Sequence, residues 1–317
     1  MESFSPYIEQ NILNLSDVDK SYLEGGIDNN QLYGVPLGIN AYCIAVNPLV
    51  FEKAGVDIPK SGYTYDDLYQ VAKKLKSQIK DADFYPLANF VDFNTFVRST
   101  GSTYFNSSGT ALGYENDQVY SDYFKIQKKW IDEGLIAPDS LSDKNSLLIS
   151  GKSAIWWGVS NGVAGISKTA KSVMKIISVP SATTGKITSC VRPSMFFSVS
   201  AYSNHKREAV EFIDFITNDL EVNDILKGER GVPISSKVSN NLEQKLSEGD
   251  KQQYLFMKYI KDNPSPADPP VPSTSGNVNS LFLRLSEQIL KGEITPEESG
   301  KDFRTGANKI LSGVKGE

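Results

Sequence analysis

The chain has 317 residues, of which 39% are apolar, 10% aromatic and 22% charged, and its net charge is −5. At about 150 residues per domain, that length predicts two domains, and the apolar content suffices for packed cores, excluding a disordered or collagen-like chain. There is no basic surplus of the kind a nucleic-acid binder carries, and no run reaches the roughly 18 apolar residues of a membrane span.

Met1 to Pro6 shows no basic, apolar and small-residue succession of a leader segment. Two readings are open: a cytoplasmic protein, or a chain that begins partway into a longer exported one. A short helix is predicted around Pro6–Asn14, then a turn at Gly25-Gly26 and extended chain through Tyr33–Gly38. Ala41–Val46 is a candidate buried strand, and the helix after Asn47-Pro48 ends at Gly55. Thr64-Tyr65-Asp66-Asp67 is a capping-box pattern, followed by Leu68, Val71, Ala72 and Leu75 at helical spacing. Val119, Tyr123, Ile126 and Trp130 mark a second helix that Gly134 ends. Strands are expected over Ala154–Trp157, Val173–Val179 and Ser194–Ser200, and a helix carries Ala209, Phe212, Ile213 and Ile216. The proline-rich stretch Asn263–Pro272 excludes helix and central strand and reads as a surface loop. Thr295-Pro296-Glu297-Glu298 starts a last helix with a cap, a proline at its first position and a reciprocal glutamate. Strands interleaved with helices indicate an α/β fold.

Catalytic signatures are missing where an enzyme would show them. There is no P-loop, G-x-G-x-x-G, G-x-S-x-G or H-E-x-x-H motif. Cys43 and Cys190 form no C-x-x-C pair, and the one histidine, His205, lies in a polar stretch before a helix. No metal or cofactor is expected. The scattered aspartates could supply a glycosidase pair only if the fold brought two of them together.

Six blocks in order carry a resemblance. They are Tyr33-Gly34-Val35-Pro36 running into Val46-Asn47-Pro48-Leu49-Val50-Phe51-Glu52-Lys53-Ala54-Gly55; Gly62–Leu68; Ser150–Ile155; Phe197–Ser200 with Glu208–Phe215; Glu229–Ile234; and Leu290–Thr295. Together they resemble the extracytoplasmic solute-binding proteins of carbohydrate ABC transporters, the maltose-binding-protein-like family 1. One departure is Val46-Asn47, where the family has Tyr-Asn. Another is position: the tyrosine-glycine-proline block lies deep in the family's first lobe, yet here begins at Tyr33. The resemblance therefore implies a two-lobed, periplasmic-binding-protein-like α/β fold of class II type, N-terminally truncated, with lobe 1 incomplete and with leader and any lipid-anchor cysteine outside the chain. Lobe 1 is expected to hold residues 1–38 and 196–230, lobe 2 residues 41–190 and 235–317, with hinge crossings near 37–40, 191–195 and 231–234.

The resemblance also implies a site. Asn40 and Tyr42 lie at the first crossing and Arg192 at the second, where a guanidinium could meet a sugar carboxylate or a lobe carboxylate. Asp92 and Phe93 start a helical segment expected to face the cleft. Trp156 and Trp157 are adjacent on a strand and point to opposite faces, so at most one stacks on sugar. Ser160 and Asn161 follow that strand, and Asn277 and Asn279 precede a helix over Phe282–Ile289. The implied function is an extracytoplasmic, non-enzymatic, monomeric oligosaccharide-binding subunit that delivers ligand, including uronate-containing sugars, to ABC permease subunits. A glycosidase, and a sugar sensor for a chemoreceptor or kinase, are the alternatives.

Overall fold

A computed structural model describes residues 1–141 and 143–313. The chain divides into two compact units. Unit 1 comprises Met1–Val46, Gly158–Ile177 and Ser189–Ser265; unit 2 comprises Asn47–Trp157, Ser178–Thr188 and Pro266–Glu317.

Unit 1 is organised on the strand Tyr42–Val46, whose last four residues are all buried. A continuous apolar run of this length suits a strand covered on both faces. It pairs antiparallel with Lys175–Ile177, Ile44 opposite Ile177. The helices Gly162–Ala170 and Glu248–Asp262 pack on each other, and the second also on Lys175–Ile177. Beside this sheet runs an antiparallel ladder in a single register: Val35–Pro36 opposite Phe196–Phe197, then Ile39–Asn40 opposite Arg192–Pro193. Between those two pieces the Leu37 N–H donates to the Met195 carbonyl at 2.8 Å and the Ser194 N–H to the Gly38 carbonyl at 2.9 Å. Ile39 also exchanges two 2.8 Å backbone hydrogen bonds with Val232. Gly231 makes this approach possible. Its φ is +113°, and a Cβ there would lie 2.7 Å from the Ile39 carbonyl oxygen.

Unit 2 is built on aromatic packing. The helices Tyr65–Gln78, Phe93–Ser99, Gln118–Asp132, Ser275–Lys291 and Pro296–Leu311 surround it. Leu87 is bridged in parallel to both Ile136 and Ile155, which makes a small strand-like centre. Capping boxes form at Thr64 with Asp67 and at Thr295 with Glu298, as the sequence predicts. The proline-rich loop is pinned: Arg98 pairs with Asp268 and donates to the Pro266 carbonyl at 2.8 Å.

The units do not follow the expected lobe boundaries. Segments 37–40, 191–195 and 231–234, expected as crossings, all lie within unit 1, because the Ile39 backbone is hydrogen-bonded to Val232 and paired with Pro193. The chain instead passes from one unit to the other next to Val46, Trp157, Ile177, Thr188 and Ser265. Residues 142 and 314–317 of the expected lobe 2 lie outside the described residues.

Candidate functional site

The ladder in unit 1 gathers three of the expected residues. Asn40 stands directly opposite Arg192, so both side chains leave the same face of the pair. Tyr42 lies two residues beyond Asn40, and the Arg192 guanidinium sits over its ring, 4.3 Å from Cζ to the ring centroid. Local sequence holds this geometry, since Pro193 biases Arg192 towards extended backbone. Ala41 between Asn40 and Tyr42 is fully buried, which anchors the strand while its neighbours stay half-buried. Ser194, two residues past Arg192 and therefore on the same face, has an enclosed Oγ with no hydrogen-bond partner among the described residues. Sequence reading passed over Ser194, although its spacing from Arg192 on an extended segment was a usable signal.

The remaining expected residues are placed elsewhere in the fold, and several have structural duties. Ser160 is fully buried: its Oγ accepts from the Ala41 N–H at 3.2 Å and its own N–H donates to the Ala41 carbonyl at 3.0 Å. That hydroxyl is enclosed in unit 1 and not offered to a ligand. Asn161 precedes the helix Gly162–Ala170, and its Nδ2 donates to the Glu229 carbonyl at 2.9 Å. Asp92 caps the helix Phe93–Ser99 by accepting from the Thr95 N–H at 2.7 Å. Phe93 is core, not a binding surface. It is 3% exposed and stacks on Phe282 at 5.2 Å, with Tyr104 and Tyr120 edge-on at 5.4 Å. The phenols of this cluster are held neutral: burial first, then the Asp92 charge, pushes Tyr123 well above the usual tyrosine value. Asn277 and Asn279 do not precede their helix but lie in its first turns, exposed, because it starts at Ser275.

The profile of the bacterial extracellular solute-binding protein family matches residues 2–219. The chain belongs to this family. Among solved structures, it resembles an extracellular solute-binding protein family 1 member from Alicyclobacillus acidocaldarius, with 21% identity and a TM-score of 0.76 over 98% of this chain and 82% of that one. It resembles a periplasmic oligogalacturonide binding protein from Yersinia enterocolitica, in complex with saturated digalacturonic acid, with 19% identity and a TM-score of 0.80 over 98% of this chain and 80% of that one. An ABC substrate-binding protein from Listeria monocytogenes in complex with cycloalternan is similar at 19% identity and a TM-score of 0.77, again over 98% and 80%. The fold of this solute-binding protein is therefore the two-lobed α/β fold of such proteins.

The tryptophan pair of this solute-binding protein divides by strand alternation. Trp156 packs on the buried cluster Ala88, Ala137 and Leu147, beside Tyr85. Trp157 points to the opposite face. Its backbone is clamped by the Asn89 amide, which accepts from the Trp157 N–H at 2.9 Å and donates to its carbonyl at 2.8 Å. Asn89 is a second residue that sequence reading missed, and no local pattern announces it. Trp156→Ala is expected to destabilise by about 3 kcal/mol, at the low end for large aromatic truncations because the ring is only partly buried. Trp157→Ala should lose less. Urea melts of the two variants check this, and equal losses would remove the division of roles.

Proposed function

We propose that this chain is the oligosaccharide-binding subunit of an ABC importer, working outside the cytoplasmic membrane as a monomer and handing its ligand, unaltered, to permease subunits. The observation that carries the reading is the fold match over 98% of the chain to proteins solved with bound sugars, at TM-scores of 0.80 and 0.77. The family match over residues 2–219 supports the same role.

The ladder face in unit 1 has the chemistry that sugar recognition needs. Tyr42 supplies an aromatic ring, Asn40 an amide with two donors and an acceptor, and Arg192 a planar set of donors. We assign these three residues to the ligand. The residues already engaged in caps and cores, Asp92, Phe93 and Ser160, are left out of the assignment.

A thermal-shift panel of mono- and oligosaccharides, amino acids and peptides tests the reading. A ligand that binds only the folded chain stabilises it by about 2.7 kcal/mol at a hundred times its Kd. At least one oligosaccharide should raise the Tm, and it should be recovered intact. A panel in which amino acids or peptides raise the Tm and no glycan does would replace carbohydrate with another solute. New reducing ends appearing during incubation would instead favour a glycosidase.

A further inference from the structure

Three half-buried arginines can be compared. Arg98 is paired with Asp268, and Arg304 with Asp117. Arg192 is paired with no carboxylate among the described residues. Its Nη1 is enclosed and has no hydrogen-bond partner there, although the residue as a whole is only half-buried. Among the described residues, its guanidinium sits over the Tyr42 ring. A cation over an aromatic face is held more weakly than one paired with a carboxylate, whose two oxygens match the guanidinium fork. Unit 1 thus holds a cation over the Tyr42 ring without a carboxylate partner among the described residues.

We propose that the missing counter-charge arrives with the ligand, and that this protein selects acidic oligosaccharides whose uronate carboxylate docks on the Arg192 guanidinium. This rests on the oligosaccharide reading above and narrows it to a substrate class. A carboxylate is favoured because its two coplanar oxygens match two parallel N–H groups of a guanidinium, a fit that a lone hydroxyl cannot make. Asn40, directly across the ladder, is placed to take a neighbouring hydroxyl, and the Tyr42 ring keeps the guanidinium plane fixed. Arg192 is then the residue that sets specificity, whereas the sugar ring itself is held by contacts that acidic and neutral sugars share.

The test is calorimetric titration of the whole chain with α-1,4-linked galacturonate oligomers, their fully methyl-esterified counterparts, sulfated oligosaccharides, and neutral malto-oligosaccharides. The acid should bind about 30-fold or more tighter than its ester, the factor expected when one partner of a desolvated charge pair is neutralised. Arg192→Gln should erase that ratio, and Arg192→Lys should keep part of it, because the charge remains and the fork is lost. The acid-to-ester ratio on the unmodified protein needs no variant, so it decides the matter even if a substitution fails to fold. Equal affinity for acid and ester overturns the inference, as does a ratio that survives in Arg192→Gln, or sulfated sugars outbinding the carboxylates. If neutral glycans bind as well as the acids, the importer reading stands and only the acidic selectivity falls. If no glycan binds, both fall.

Discussion

Replacing Phe93 with alanine is expected to destabilise the protein by about 3–5 kcal/mol, the range for emptying a large aromatic site in a packed core. The ring is 3% exposed and is ringed by Phe282, Tyr104, Tyr120 and Tyr123 at 5.2 to 5.4 Å. It therefore ties its own helix, Phe93–Ser99, to Gln118–Asp132 and Ser275–Lys291 at once. Offset and edge-on pairs each add about 0.5–1.5 kcal/mol beyond area burial, so several are lost together. Phe93→Leu keeps most of the volume and should lose much less. Urea denaturation gives both values, and ligand affinity of the surviving folded fraction should be unchanged. A variant that melts normally yet loses ligand would return Phe93 to the binding surface.

An equally large effect is expected at Arg98. Its side chain is 9% exposed, pairs with Asp268, and donates to the Thr188 carbonyl from both Nε and Nη2 at 3.2 Å and to the Pro266 carbonyl at 2.8 Å. One guanidinium thereby fastens the helix Phe93–Ser99 to two segments distant in sequence, and Asn94 of the same helix adds a 3.2 Å hydrogen bond from its Nδ2 to Asp268. Arg98→Ala leaves the Asp268 carboxylate with only the Asn94 amide as a donor and should lose about 3 kcal/mol, the low end for breaking a buried pair because Asp268 is 22% exposed. Removing both charges, as Arg98→Met with Asp268→Leu, should lose less than Arg98→Ala alone, because no uncompensated charge remains. A double-mutant cycle by chemical denaturation measures the difference. Purely additive losses would show that the pair acts through packing rather than charge.

What could be read from the sequence was what is decided locally. Capping boxes at Thr64 and Thr295 depend on residues three positions apart, and both formed. The buried strand at Tyr42–Val46 and the end of a helix at Gly55 follow from an apolar run and from a residue that tolerates φ of +63°. Phe93 was misplaced because its surroundings come from Phe282 and Phe303, far along the chain, whose approach leaves no mark near residue 93. Ser160 was misplaced for the same reason: its partner, Ala41, arrives from a different strand. The helix Ser275–Lys291 starts about two turns before Phe282, where the sequence places its start, so Asn277 and Asn279 looked like loop residues. The unit boundaries were the least legible, since they depend on backbone hydrogen bonds such as Ile39 with Val232 that carry no side-chain signature. Within the site, the resemblance brought Arg192, Tyr42 and Asn40 forward, and the structure brings those three together.

The most direct measurement is nuclear magnetic resonance mapping of the isotopically labelled chain during titration with the oligosaccharide that gives the largest thermal shift. If the ladder face holds the ligand, the Arg192 Nε–H, the Asn40 side-chain amide and the backbone of Tyr42 should move in a saturable, concentration-dependent way, while Phe93 and Ser160 stay put. Saturable binding that leaves those three signals in place, or no response to any oligosaccharide, would contradict that assignment.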